Sequence, residues 1–180
     1  MSGGYGSVQT ALMASVLLRY ALMAYAAWRD ARTRTFPNGL ALAFAAACAV
    51  EAVLAGGLGR AGAPDGMGGL QEGGFSLSSG LHALGMDALA AAAAFALLFA
   101  LELGWRRVRG EPGLGMGDLK FLFGLMLVDP VKALMAFVLG LVALALTGLV
   151  ARKRSLPLLP FIVGSYFAII LAGLSITLGM

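Results

Sequence analysis

Long runs of apolar residues, separated by short polar loops, dominate this sequence. Six runs can be drawn, and all but the fourth have about the 20-residue length that a helix needs to cross a membrane. They cover residues 8–28, 39–58, 81–104, 113–128, 131–151 and 158–179. With 60% hydrophobic and 12% charged residues and a mean hydropathy of +0.89, the chain is too apolar for a soluble domain. The sequence predicts an all-α, polytopic membrane protein with about six transmembrane helices in a single domain, residues 1–180.

Positive charge is distributed unevenly between the loops. Nine of the 13 Lys and Arg residues lie in the first, third and fifth loops, whereas the second and fourth contain Arg60 and Lys132. Cytoplasmic loops carry such an excess of cations, so we expect both termini outside the cytoplasm. Residues 57–80, rich in Gly, Ser and Pro, are then predicted to form a flexible non-cytoplasmic loop. Cations confined to short loops also do not form a nucleic-acid-binding face, so no nucleic-acid partner is expected.

Few ionisable residues lie within the apolar runs or at their edges. They are Arg19, Asp30, Glu51, His82, Asp87, Glu102, Asp118 and Lys120. A charged group at membrane depth is costly, which makes each one a functional candidate. Arg19 and Glu51 are expected near the middle of the membrane, where the first two helices can pair them as a structural contact. Glu102 is a third acidic candidate for a pocket at the cytoplasmic face.

Two aspartates are predicted to lie at the same, cytoplasmic face. Asp118 follows glycines at 113, 115 and 117, which let backbone or substrate approach the acid closely. Asp30 lies among three arginines at the end of the first run. The structural alternatives are that Asp118 belongs to a Gly-rich turn at the membrane interface, and that Asp30 is an interface residue whose charge is balanced by the arginines. Two carboxylates brought close together cannot both ionise easily, so one can act as acid while the other acts as base toward water.

The sequence contains few residues that could support another catalytic chemistry. The only histidine, His82, is predicted at the opposite face from both acids, and the only cysteine, Cys48, lies inside an apolar run. A Ser-His-Asp triad or a His-based metal site at the cytoplasmic face is therefore disfavoured. We expect no metal and no cofactor.

Two stretches resemble motifs of a known family. The sequence G-M-G-D-L-K at 115–120 matches the Gly-x-Gly-Asp-x-Lys motif of the type IV prepilin leader peptidases, and D-A-R-T-R-T-F-P-N at 30–38 resembles their first-aspartate motif. The stretch at 156–164 is similar to the Pro-x-x-Pro segment that opens the last span of the family. Since the cysteine quartet of the larger, methylating members is missing, the chain looks like the short, peptidase-only branch associated with Flp-type pili.

The resemblance implies an aspartic endopeptidase with Asp30 and Asp118 as its catalytic pair. Supporting or substrate-binding roles fall on Thr33, Asn38, Gly115, Gly117 and Lys120. Alternatively, Lys120 extends to lipid phosphates and Asn38 caps the second helix. The implied substrate is a pilin-like precursor with a short basic leader in the cytoplasm and a hydrophobic helix in the membrane. The implied location is the inner membrane of a prokaryote, with the active site at the cytoplasmic face and lipids around the helices.

Two other classes of function remain open. One is a small transporter or channel in which Arg19, Glu51, Asp87 and Asp118 line a polar path. The other is a non-catalytic subunit of a pilus or secretion apparatus, in which neither aspartate is essential.

Overall fold

The computed structural model describes residues 3–34, 36–59, 75–110, 115–152 and 156–178, and within these ranges its regular structure is entirely helical. The all-α class predicted from the sequence is therefore confirmed. In the described part of the chain six helices follow one another: α1 (Gly3–Thr33), α2 (Asn38–Gly59), α3 (Leu77–Arg109), α4 (Met116–Met126), α5 (Pro130–Ala151) and α6 (Leu159–Leu178).

Four of these helices, α1, α2, α3 and α5, are long and apolar enough to cross a bilayer. Helix α6 contains a shorter apolar stretch, Leu159–Gly173. Helix α4 has 11 residues, and at 1.5 Å per residue it covers about half of a hydrocarbon core of about 30 Å. The predicted fourth run, 113–128, is thus longer than the helix it contains, and its first two residues lie outside the described ranges. These lengths and compositions are typical of a membrane-embedded helical protein.

The outer surface of the bundle is apolar. On α3, the side chains of Leu89, Leu97 and Leu101 are each more than 60% exposed. The buried residues of this helix are Gly80, Ala91 and Glu102. Because exposed leucines lose little in contact with lipid tails, a surface of this kind is compatible with a hydrocarbon environment.

Helix α4 lies in the interior and packs against α2, α3 and α5. Its buried side chains include Leu119, Leu122 and Leu125, and Phe121 stacks on Phe44 of α2 with 4.6 Å between ring centroids. Stacked aromatic rings of this kind add to the burial of apolar area. Helix α1 packs against α2 and α6, and α2 contacts both α1 and α4. The position of the first turn of α4 relative to α1 therefore depends on α2.

The predicted loop at 57–80 is shorter in the structure, because both of its ends are helical. Helix α2 continues to Gly59 and α3 begins at Leu77, while residues 60–74 lie outside the described ranges. The glycines at these ends permit a close helix crossing: a Cβ on Gly80 would overlap the backbone oxygen of Val53 in α2. Small residues at such a crossing let two backbones approach closely. Glycine here serves helix packing, a role that the composition alone does not distinguish from a loop.

Substitution of Gly80 tests this crossing. Gly80→Ala should destabilise the protein by about 1–3 kcal/mol, since the added methyl group meets backbone and cannot be accommodated by a side-chain rotation. Gly85→Ala on the same helix is the matched control, because nothing lies within 4 Å of its added Cβ. Thermal unfolding in detergent should show a lower Tm for Gly80→Ala only, and equal Tm values for both variants would contradict the close crossing.

Candidate active site

Asp30 lies on the buried face of α1, four residues after Ala26, near the end of the helix. Its side chain is 8% exposed. The backbone N–H of Leu159, in the first turn of α6, lies within hydrogen-bonding reach of its carboxylate, and the Arg34 guanidinium is near enough to attract its charge. The first N–H groups of a helix have no partner within the helix and are good donors to an anion. The start of α6 therefore supplies Asp30 with a donor.

Asp118 lies in the first turn of α4, where its carboxylate turns back toward the start of its own helix. The backbone N–H of Gly115, the N-cap residue, lies near enough to this carboxylate to favour its charged form. The arrangement resembles one half of a capping box, in which the third helical residue binds the N-cap N–H. A Cβ on Gly115 would lie 2.8 Å from the Asp118 Oδ2 atom, so glycine leaves room for this contact.

The two aspartates are close enough for their charges to interact. Asp118 belongs to α4, which is not one of the four helices long enough to cross a bilayer. Burial, and next the negative charge of Asp30, raise the pKa of Asp118 to about 7. Asp118 can therefore hold a proton near neutral pH while a neighbouring carboxylate is charged. This is the electrostatic arrangement of an acid and a base that share one site.

The chain between α1 and α2 packs directly over α4. An added Cβ on Gly117 would lie 2.7 Å from the Cβ atom of Phe36, so glycine at this position allows the close approach. Phe36 also contacts Phe121 edge to face, with 6.0 Å between ring centroids. The role of Phe36 was not predicted, although its place directly before Pro37 marks it as part of a constrained segment.

Lys120 and Asn38 join the second and fourth helices at the site. The Lys120 ammonium donates to the Asn38 Oδ1 atom across 2.7 Å. Lys120 therefore has a protein partner, and Asn38 binds α4 in addition to beginning α2. Thr33 donates to the backbone oxygen of Arg29 within α1, across 3.0 Å.

A groove of about 380 Å³ opens beside this contact. Lys120 and Asn38 line its polar end, and its walls are formed by Ala41, Leu42, Ala45, Phe95 and Phe123. The groove lies between α2, α3 and α4, and its lining residue Lys120 follows Asp118 by two residues in the sequence. It combines an apolar surface with the cation of Lys120.

Three of the remaining charged candidates, Arg19, Glu51 and Glu102, are paired. Arg19 and Glu51 form a buried ion pair, with 2.7 Å between Nε and Oε2, which confirms the predicted contact. Glu102 is buried and accepts a hydrogen bond from the Arg106 Nε atom across 2.7 Å. Within the described ranges, no group of three or more His, Cys, Asp or Glu side chains is arranged to hold a metal ion.

Comparison of the chain with models of protein families, with curated proteins and with solved structures finds no match.

The pKa of Asp118 tests the proximity of the two acids without any substrate. Asp30→Asn should lower the pKa of Asp118 from about 7, because a neutral amide no longer opposes its ionisation. Difference infrared spectroscopy of the carboxyl stretch, with Asp118→Asn identifying the band, measures this titration. A band that titrates at the same pH in the parent protein and in Asp30→Asn would show that the two carboxyls do not interact.

Proposed function

We propose that this protein is an aspartic endopeptidase of the membrane that removes the leader of type IV, Flp-like prepilins. The observation that carries the proposal is the interaction between the Asp30 and Asp118 carboxyls at one end of the bundle. The motifs around both residues resemble those of prepilin peptidases, as described above. An apolar bundle with an acid pair near a helix terminus also suits a substrate cut at the boundary of a membrane helix.

The different surroundings of the two acids support different roles. Asp30, near the Leu159 N–H and the Arg34 guanidinium, is the charged base, whereas Asp118 is the protonated acid. Asp30 takes a proton from a water molecule as the water oxygen attacks the scissile carbonyl carbon, and Asp118 donates its proton to the carbonyl oxygen. The tetrahedral intermediate then returns a proton to Asp118 as its C–N bond breaks, and Asp30 protonates the departing amine.

The groove next to Lys120 supports the class of substrate. Its apolar walls and its volume of about 380 Å³ suit the side chains of a hydrophobic segment that lies in the membrane next to the bond to be cut. Phe95 and Phe123 provide aromatic surface, while Ala41 and Ala45 allow close approach. The unequal distribution of cations between loops supports a cytoplasmic location for this end of the bundle, in the inner membrane of a prokaryote.

The pairing of Arg19 with Glu51 weighs against the transporter alternative. Their side chains are 4% and 6% exposed, and each satisfies the charge of the other. A pathway for ions needs such groups to face water or a cavity. The pair is better explained as a structural contact.

Cleavage by variants of the two acids tests the proposed function. Asp30→Asn and Asp118→Asn should each lower the cleavage rate of a co-expressed Flp-type prepilin by about 10²–10⁴-fold, since each removes one partner in proton transfer. Gel mobility and N-terminal sequencing of the pilin measure the loss of the leader. All proteins should be equally abundant in the membrane.

Asp87→Asn is the matched control, because it makes the same chemical change on α3 at an acid outside the site. It should cleave at the wild-type rate. Cleavage at the wild-type rate by Asp30→Asn or Asp118→Asn would remove that aspartate from the mechanism, whereas loss of function in Asp87→Asn together with ion flux in vesicles would favour a transporter.

The pH dependence of cleavage follows from the raised pKa of Asp118. Below about pH 7 the side chain keeps the proton that it must donate, and above that value it loses the proton. The cleavage rate should therefore fall by about tenfold for each pH unit on the alkaline side. Initial rates in vesicles across neutral and alkaline pH measure this limb. A rate that stays constant well above neutral pH would contradict the role of Asp118 as acid.

A further inference from the structure

A second polar cluster lies deeper in the bundle, away from the aspartates. It consists of Arg19 of α1, Glu51 of α2 and Tyr166 of α6. All three residues are at most 5% exposed. The Arg19 Nε atom donates to the Glu51 Oε2 atom across 2.7 Å, and its Nη1 atom donates to the Tyr166 hydroxyl across 3.3 Å. One guanidinium thus joins three helices.

The surroundings of Arg19 are otherwise apolar and polarisable. Its guanidinium carbon lies 4.3 Å from the centroid of the Tyr20 ring and 5.6 Å from that of Tyr166. The Met23 Sδ atom accepts a longer contact of 3.7 Å. A cation in such a place is stabilised by its carboxylate and by the faces of aromatic rings. A shift of α1 by one residue would separate the charges while leaving both buried.

The same three helices set the position of Asp30. Asp30 lies eleven residues after Arg19 on α1, about 16 Å along the axis, and it meets the N–H of Leu159 at the start of α6. Leu159 precedes Tyr166 by two turns on α6. Helix α2 in turn binds α4, which carries Asp118, through the contact of Asn38 with Lys120.

We propose that Arg19, Glu51 and Tyr166 are positioning residues that fix the register of α1 against α2 and α6, and thereby hold Asp30 opposite Asp118. The effect of this register on catalysis rests on the proposed peptidase function. The register itself is a property of the helices and can be measured without a substrate. Small side chains line much of the interface, including Ala26, Ala47 and Ala52, and they do not define one register as a buried ion pair does.

A distance measurement tests the proposal directly. Nitroxide labels at Ala31 and Met116, both exposed and next to the two acids, report the spacing of α1 and α4 by pulsed electron paramagnetic resonance. Cys48 is fully buried, which shields it from the label. In the double variant Arg19→Met with Glu51→Met, which removes both charges at similar volume, the mean distance should shift or the distribution broaden by about 1.5–5.4 Å, one residue to one turn. An unchanged distribution would overturn the proposal.

Two tyrosine variants make the test independent of whether the double variant folds. Tyr166→Phe removes the hydroxyl that Arg19 contacts, whereas Tyr20→Phe makes the same change on the other ring near the guanidinium. The distribution should broaden in Tyr166→Phe and remain at the parent width in Tyr20→Phe. Equal distributions in both variants would contradict a role for the Tyr166 contact in fixing the register.

Cleavage kinetics connect the register to the active site. A misplaced acid should lower kcat for a Flp-type prepilin by up to about 10²-fold with little change in KM, while loss of folded protein would lower only the amount of active enzyme. Altered distances with a wild-type protein that cuts no prepilin would support the register and reject the peptidase. A peptidase whose kcat and distances are unchanged in the double variant would reject the register alone.

Discussion

Several charges buried in this bundle lie beside polar partners, because an apolar medium stabilises an isolated charge poorly. Arg19 of α1 takes Glu51 of α2 as its partner, at 2.7 Å. The backbone N–H of Leu159, at the start of α6, lies near Asp30, and the N–H of Gly115 lies near Asp118. Since Arg19 and Asp30 have partners on other helices, satisfying their charges also fixes how those helices lie against one another. The fold and the candidate active site therefore share one physical requirement.

The short helix α4 determines where the acid pair is found. With 11 residues enclosed by α2, α3 and α5, it brings its first turn into the bundle. Gly117 allows Phe36 to pack against this turn, so a residue that follows α1 contacts the helix that carries the second acid. The missing side chain of Gly117 thus helps to bring the end of α1 close to Asp118.

Much of this arrangement could be predicted from the sequence. Apolar runs gave the number of helices because helix periodicity and length are local properties, and the pairing of Arg19 with Glu51 followed from the cost of leaving either alone. The helical ends of the 57–80 segment were not predicted, because a glycine in a close crossing and a glycine in a loop look alike in composition. The position of the Leu159 N–H near Asp30 could not be predicted, because a backbone group leaves no pattern of side chains in the sequence. Pro157 before it marks only the approximate start of a helix. Tyr166 could not be assigned to Arg19 because the contact spans 147 residues.

We propose that Asp30 and Asp118 together direct water onto a peptide bond. The most direct measurement uses the purified protein in lipid vesicles, a Flp-type prepilin, and water labelled with oxygen-18, followed by mass spectrometry of the released leader. Hydrolysis by this pair of aspartates predicts a leader with one heavy oxygen in its new carboxylate during the first turnover, and release of the leader that is at least about 10²-fold slower in Asp118→Asn. An intact prepilin with the wild-type protein, or release of a labelled leader by the variant at the wild-type rate, would contradict this mechanism.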